Sequence, residues 1–403
     1  MKKPPHVTRR KFLMGAGASV GALVGSAWWP RAARAAGDDP VLLVVQLRGG
    51  ADGLNLLAPV GDPAYAALRP TIGLQESGVI ALDGFFGLHP ALGSLLPLHQ
   101  AGELCWLHAT GSHRVTRSHV DAQSDMERAA PGDPAIRDGW LNRYLDVLGG
   151  AESWRGITLG SAEVLALKGA APSLAFTSID DFVLDDASGR RAALSSMYDR
   201  ASDSPLRSAS RAAFDALTVV AGAERADPGL YPPGAFGEAL ADAAALVRSD
   251  LGVRVIAIDL GGWDHHAGED EALAPVAGQL GSGIASLRAD LGEDWSRTCV
   301  VVTSEFGRTA AENGSRGTDH GHGGLMFCAG GRVAGGRVLL ADDAWPGLAP
   351  HQLHLGRDLA VTTDFRDVFA ELLHRHMGVP LGSLAPVLPG HAVSLARLPG
   401  IFG

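Results

Sequence analysis

Pro40-Val41-Leu42-Leu43-Val44-Val45-Gln46-Leu47 is an almost unbroken apolar run of strand length, and it stops abruptly at Arg48-Gly49-Gly50-Ala51-Asp52-Gly53. A strand with one wet face alternates apolar and polar residues, whereas a strand covered on both faces does not. The run therefore predicts a central parallel strand, with the glycines and Asp52 in the loop beyond its carboxyl end. Three further runs share this character: ELCWLHA at 103–109, VRVIAIDL at 253–260 and TCVVVT at 298–303. Helical spacing lies between and after them, with Phe236, Leu240, Ala244 and Val247 in one segment and Val368, Phe369, Leu372, Leu373 and Met377 in another. Alternating strands and helices predict an α/β fold: a doubly wound, mostly parallel sheet with helices on both faces. Residues 156–233 break the pattern. Short apolar segments there are interrupted by Asp180-Asp181, Asp185-Asp186-Ala187-Ser188-Gly189 and Tyr231-Pro232-Pro233, with one helix expected at about 209–221. This stretch is expected to form an insertion or cap on the sheet.

At the N-terminus, Thr8-Arg9-Arg10-Lys11-Phe12-Leu13 precedes an uncharged stretch rich in Gly, Ala and Ser, and Ala33-Arg34-Ala35 offers small residues for cleavage. The pattern predicts a twin-arginine signal over residues 1–35 and a single α/β domain over 36–403, delivered to the periplasm or beyond by the twin-arginine translocase. Met14 to Pro30 falls short of the about 20 strongly apolar residues that spanning needs, so no stable membrane span is expected after cleavage. Residues 1–35 hold seven basic side chains and no acidic one; the remainder carries 27 Lys and Arg against 44 Asp and Glu, a formal charge of −17. Such a surface repels nucleic acid and excludes it as a partner. Cys105, Cys299 and Cys328 sit in apolar runs with no Cys-x-x-Cys pair, so buried thiols are expected rather than a disulfide framework.

Open α/β sheets bind ligands beyond the carboxyl ends of their strands, and four such ends carry chemistry here. Asp52, with glycines on either side, suits either a metal ligand or a plain Asp-Gly turn. In the segment 111–121, Ser118-x-x-Asp121 reads as a helix cap and equally as a hydroxyl nucleophile at a helix N-terminus, where orphan N–H groups stabilise an anionic centre. Arg114 and Arg117 flank it and suit phosphate or sulfate oxygens. After the third run, Asp264 and His266 stand close enough to aim at one ion. The last segment, 301–324, passes from VVTS into Glu305-Phe306-Gly307-Arg308 and then through a polar loop to Asp319-His320-Gly321-His322. Two imidazoles separated by one glycine alternate faces if the chain is extended, or converge if the loop bends. Glu305 reads either as a ligand or as a partner of Arg308, and His108 as a core histidine. Imidazoles with carboxylates form a donor set for divalent cations such as zinc or manganese, with magnesium and calcium also to be considered.

In order, LRGGADGLN, TRSHVDAQ, DGWLNRYL, DLGGWDHH, SEFGRT and GTDHGHGG make the chain resemble a large bacterial family that carries twin-arginine signals and is known as a domain of unknown function. The resemblance covers nearly all of residues 40–390, and this family is placed, more distantly, with the alkaline phosphatase and sulfatase superfamily. It implies an alkaline phosphatase/sulfatase-like fold and one or two divalent cations. By that resemblance the metal-binding Asp after the first strand matches Asp52, and the nucleophile at a helix start matches Ser118, with Thr116 as runner-up. An Asp followed by a His matches Asp264 and His266, an acidic residue matches Glu305, and a final His matches His320 or His322. The superfamily places Asp-His where Glu305-Phe306 stands, and Phe306 cannot ligate. The implied activity is an exported metal-dependent hydrolase of phosphate or sulfate esters, in which Ser118 attacks and Arg117 or Arg308 stabilises charge on the equatorial oxygens. Two alternatives stay open: a non-catalytic, metal-containing binding or assembly protein of the periplasm, and a hydrolase of another bond in which Ser118 only caps its helix.

Overall fold

Val41–Leu47 forms strand β1, buried along its whole length inside a nine-stranded sheet. The computed structural model describes residues 39–182, 190–200, 202, 204–225 and 227–403. The expected signal over 1–35 and the run 185–189 lie outside the described residues. The remaining strands are β2 (Leu104–Gly111), β3 (Gly156–Leu159), β4 (Leu174–Phe176), β5 (Val255–Leu260), β6 (Thr298–Ser304), β7 (Gly324–Gly330), β8 (Arg337–Leu339) and β9 (Thr363–Asp364). Their order across the sheet is β8-β2-β7-β6-β1-β5-β3-β4, with β9 also pairing β2. β1 is parallel to both neighbours, and only β7 runs against the rest.

Alternation along β1 divides the core. Val41, Leu43, Val45 and Leu47 face a layer that includes the helices Ala235–Arg248 and Glu269–Leu291. Leu42 and Val44 face the opposite layer, with Trp140–Leu148 and Phe365–Glu371. In the long helix Leu273, Ala277, Leu280, Ile284, Leu287 and Leu291 recur at spacings of three and four and are all buried, the stripe an amphipathic helix needs to sit on a sheet. Each large aliphatic side chain so covered contributes about 1.5–3 kcal/mol of transfer free energy. Helices on both faces of a mostly parallel sheet are thus present as the periodicity predicts. Cys105, Cys299 and Cys328 are buried free thiols.

Within residues 156–233 the structure narrows the expected insertion. Gly156–Leu159 and Leu174–Phe176 belong to the main sheet, parallel to β5 and to each other, so the part outside the sheet begins after Phe176. These strands are too short to announce themselves in the sequence, and pairing makes them, β3 with β5 and β4 with β3. The helix Ser204–Val220 packs on the Ser153–Arg155 turn that leads into β3, at the strand start and away from the strand ends where the chemistry lies. No helix among the described residues is long and apolar enough to cross a membrane.

Because β1, β2, β5 and β6 are parallel, their carboxyl ends emerge along one edge of the sheet. β7 runs the other way and begins at that same edge, so the loop before it, carrying His320 and His322, joins the loops that leave the other four strands.

Candidate metal centre

Four side chains from three loops meet at this edge. His119 is the first residue of the helix His119–Arg128, which follows the β2 loop; Asp264 and His266 follow β5; and His320 precedes β7. His266 Nε2 lies 3.1 Å from Asp264 Oδ1, His320 Nε2 lies 3.2 Å from the same oxygen, and His266 Nε2 lies 3.0 Å from His320 Nε2. His119 Nε2 stands 3.4 Å from Asp264 Oδ2, is buried and has no hydrogen-bond partner among the described residues. One ligand atom each from His119, Asp264 and His320 falls within 4.8 Å of the others. A tetrahedral zinc ion with bonds of about 2.0–2.1 Å separates its ligand atoms by about 3.3 Å, close to the separations of the three imidazoles from Asp264.

The other nitrogen of each ring is spoken for. His119 Nδ1 meets Glu305 Oε1 at 2.7 Å, His320 Nδ1 meets the Arg117 carbonyl oxygen at 2.7 Å, and His266 Nδ1 meets Asp319 Oδ1 at 3.2 Å. All three partners are oxygen acceptors, an arrangement that suits imidazoles ligating through Nε2 with the proton on Nδ1. His266 Nε2 and His320 Nε2 stand 3.0 Å apart and both beside Asp264 Oδ1, so a cation held there would take the two imidazoles and the carboxylate together. The donor set, three imidazoles and one carboxylate, fits zinc or manganese. Asp264 and His266 are exposed, which leaves the centre open on one side as catalytic metal sites require.

Buried scaffolding aims these groups. Arg308, 2 % exposed, donates to the carbonyls of Gly49, Gly50, Trp263 and Thr318 and to Asp264 Oδ1 at 2.6 Å. Burial alone would raise the Asp264 carboxyl, but the Arg308 hydrogen bond and charge, with His320 and His266, bring it down to about 2. The carboxylate is therefore ionised and able to ligate. Arg308, expected to act on substrate, is instead the post that holds Asp264, because carbonyls and that carboxylate occupy its guanidinium. Glu305, expected as a ligand, is likewise a support: its Oε1 accepts from Gly49 N–H at 2.9 Å and Gln123 Nε2 at 3.0 Å as well as from His119. Burial works against its charge, but these hydrogen bonds lower its pKa below the usual value. Gly49 has φ +125°, and a Cβ there would stand 2.7 Å from the Asp264 backbone nitrogen; only glycine lets the β1 loop pass beneath Asp264.

Of the expected ligands, the structure brings together Asp264, His266 and His320 and adds His119. It does not bring in Asp52. That carboxylate is 1 % exposed, caps the turn Gly53–Leu56 through the Leu54 N–H, and pairs with Arg69 at 2.5 and 3.1 Å. Nor does His322 join: its ring lies against that of His354, with centroids 4.7 Å apart and the planes tilted by 45°. Gly321 is pressed against Arg308, its position leaving 2.3 Å to the Arg308 carbonyl carbon for any Cβ, so the loop cannot bend the rings together. Arg117 pairs with buried Asp358 at 2.6 Å. Ser118 is exposed and caps its helix, accepting the Asp121 N–H at 3.4 Å; the Thr116 hydroxyl accepts the Ser118 N–H at 3.3 Å. His119 escaped the sequence reading because Ser118-x-x-Asp121 explained the segment as a cap. The one local signal was an imidazole at the first helical position beyond a strand end.

No curated protein matches the chain in sequence. Among solved structures, the PsFucS1 sulfatase from Pseudoalteromonas sp. is similar with a TM-score of 0.37 and 13% identity, over 85% of this chain and 68% of that one. The phosphonate monoester hydrolase of Agrobacterium radiobacter is similar with a TM-score of 0.34 and 12% identity, over 88% of this chain and 78% of that one. The family described as "Protein of unknown function (DUF1501)" matches residues 39–383, and the chain belongs to it.

Proposed function

We propose that this protein is an exported, metal-dependent hydrolase of phosphate or sulfate esters. One observation carries the reading: His119, His266 and His320 each bring Nε2 to within 3.1–3.4 Å of an Asp264 carboxylate oxygen, while every Nδ1 meets an oxygen acceptor. His119, Asp264, His266 and His320 would hold the ion. When bound, it supplies Lewis-acid polarisation and a lowered pKa for a hydroxyl or water beside it.

The residues around the cluster favour an anionic substrate. Arg117 and Arg357 both pair with Asp358, at 2.6 and 3.1 Å, so two guanidiniums share one carboxylate and one positive charge is left over. Arg117 holds His320 through its carbonyl, and Arg357 Nη1 donates to the His320 carbonyl oxygen at 3.1 Å. Both are partly exposed and face peripheral oxygens of a phosphoryl or sulfuryl group with a cationic wall. Ser118, between Arg117 and His119, is the proposed nucleophile. Its Oγ bonds to phosphorus or sulfur as its proton passes to water, and the bond to the alcohol oxygen breaks. That oxygen takes a proton from solvent. A second water then cleaves the Ser118 ester, releasing phosphate or sulfate and restoring the hydroxyl.

A second reading has its own observation: the Ser118 hydroxyl already caps its helix, so water alone would attack. Ser118→Ala separates the two, since a nucleophile's loss abolishes turnover with metal retained, whereas a cap's loss leaves turnover nearly intact. The prior test is elemental analysis of the purified protein beside His119→Ala/His320→Ala. About one equivalent of a transition metal in the parent and little in the variant supports the centre. A well-folded parent that neither contains nor takes up metal would sink the hydrolase. Metal without turnover of any phosphate or sulfate ester would favour a binding protein.

Export is part of the proposal, motivated by Thr8-Arg9-Arg10-Lys11-Phe12-Leu13. Arg9→Lys/Arg10→Lys should leave the full-length protein in the cytoplasmic fraction; undiminished export of that variant would remove the twin-arginine route.

A further inference from the structure

β8 and β9 pair separate stretches of β2, Cys105–Leu107 and Thr110–Gly111 respectively. Between them opens a cavity of about 670 Å³, within the range of pockets that hold drug-sized ligands. Leu339, Val361 and Leu398 give it apolar walls. Its inner end is made by His322 and His354. His322 is 7 % exposed, and among the described residues its ring nitrogens make no hydrogen bond. His354 Nε2 is buried and has no hydrogen-bond partner among the described residues. Leaving that atom unpaired costs about 1–3 kcal/mol, and a ligand's polar atom would recover it.

The chain ties the cavity to the metal centre. His322 follows His320 by two residues, at most about 7 Å of backbone. His354 exchanges backbone hydrogen bonds with Asp358 at 2.8 and 3.1 Å, so the loop that supplies the cavity's imidazole also supplies the Arg117–Asp358–Arg357 wall. Charge separates the two halves. At the cavity rim, Asp364 is paired with Arg366 and Asp367 with Arg397 and His391, whereas exposed Asp342 and Asp343 have no side-chain partner among the described residues. The rim is thus net negative, which disfavours anionic occupants.

We infer that this cavity receives the organic half of the ester, a neutral or cationic alcohol of aryl or branched-alkyl size, with a polar atom held by His322 and His354 while the phosphoryl or sulfuryl half stands at the metal centre. The inference rests on the hydrolase reading for its substrate, and its test separates the two. Metal-free full-length protein is titrated with 1-naphthol, and metal-loaded protein is assayed with 1-naphthyl phosphate and methyl phosphate and with the matching sulfates. Ala341→Trp fills the cavity from its rim, and His354→Ala removes a polar partner; near-ultraviolet circular dichroism establishes that each is folded.

The expected result is saturable naphthol binding, weakened at least about tenfold by Ala341→Trp and by His354→Ala and unchanged by His119→Ala, with a naphthol disulfonate binding at least about tenfold more weakly than naphthol. KM for the naphthyl ester should rise at least about tenfold in Ala341→Trp while the methyl ester is unaffected. Naphthol binding of this kind without turnover of any ester keeps the pocket and defeats the hydrolase. Turnover with naphthol binding and naphthyl KM unmoved by both variants, or no naphthol binding at all, overturns the pocket.

Discussion

Gly49-Gly50-Ala51-Asp52 and Gly261-Gly262-Trp263-Asp264 place an aspartate after two glycines just beyond adjacent parallel strands, yet the two carboxylates have opposite fates. Asp264 is open to solvent and ringed by imidazoles. Asp52 is sealed: Arg69, 0 % exposed, reaches it with two nitrogens and also donates to the carbonyls of Thr309 and Ala310. Glu269 completes that enclosure, bonded by Asn55 and Thr318. Burial and the neighbouring Asp52 charge push the Glu269 carboxyl well above its usual pKa. Burial would raise Asp52 as well, but Arg69 holds it below its usual value. The two carboxyls are thus pushed in opposite directions, Asp52 towards its charged form and Glu269 towards its neutral one. A strand-end aspartate is at once a possible ligand and a possible structural charge, and the partner that reaches it first through the fold decides which.

The largest effect that tests this contrast is on stability. Arg69→Met should cost about 3–5 kcal/mol in urea unfolding, since it strands a buried carboxylate, yet leave metal content per folded molecule unchanged. Loss of metal from a folded Arg69→Met or Asp52→Asn protein would return Asp52 to the ligand set and break the comparison. At the open site the pattern reverses. His320→Ala should lower metal affinity by more than about 100-fold in a chelator competition, while shifting metal-free stability by less than about 1 kcal/mol, because the ring is only partly buried. Glu305→Gln sharpens the distinction between holding a metal and aiming its ligand. It should weaken binding by about 10–100-fold, as expected for a carboxylate that orients a ligating imidazole.

The smallest effect concerns pH and lies beside the sealed network. His108 is buried, with Nε2 3.0 Å from the Leu57 carbonyl and Nδ1 accepting the Ala109 N–H at 2.9 Å, so its neutral form is fully bonded. Burial lowers its pKa from the ordinary 6.5 of an imidazole to about 4. Below pH 6.5 the unfolded chain takes up a proton that the folded chain refuses, so this stability is complete above 6.5 and is lost as pH falls towards 4. The loss should reach about 1 kcal/mol at pH 5.5 and vanish in a His108→Gln background. An unchanged pH dependence in that background would show that other groups carry it. Metal binding at the open site should track neither variant.

Much of the sheet was legible because full burial leaves a mark on composition: the runs at 41–47, 104–111, 255–260 and 298–304 are apolar throughout and became strands. Strands β3 and β4 were not legible, since three or four residues carry too little periodicity and acquire their conformation from pairing, β3 with β5 and β4 with β3. The direction of β7 was equally hidden. Its residues read as apolar, but antiparallel pairing with β2 and β6 is a long-range fact. In the site, Asp264, His266 and His320 were legible because glycines and strand ends surround them. His119 was not, because a capping serine accounts for the same residues. Glu305 and Arg308 were found as residues and misread as roles: whether a buried charge touches an ion or braces a ligand depends on which donors and carbonyls the fold places around it.

By itself, then, the sequence determined the α/β class and the few loops where chemistry gathers, because hydrophobic burial on both faces of a strand and glycine-lined strand ends are written in local composition and period. Only the tertiary structure decided that His320 joins Asp264 while His322 turns to a cavity, and that Asp52 is closed off while Asp264 is open. Those outcomes are set by distances of a few ångströms between segments up to some two hundred residues apart, and no local pattern records which charge will meet which partner.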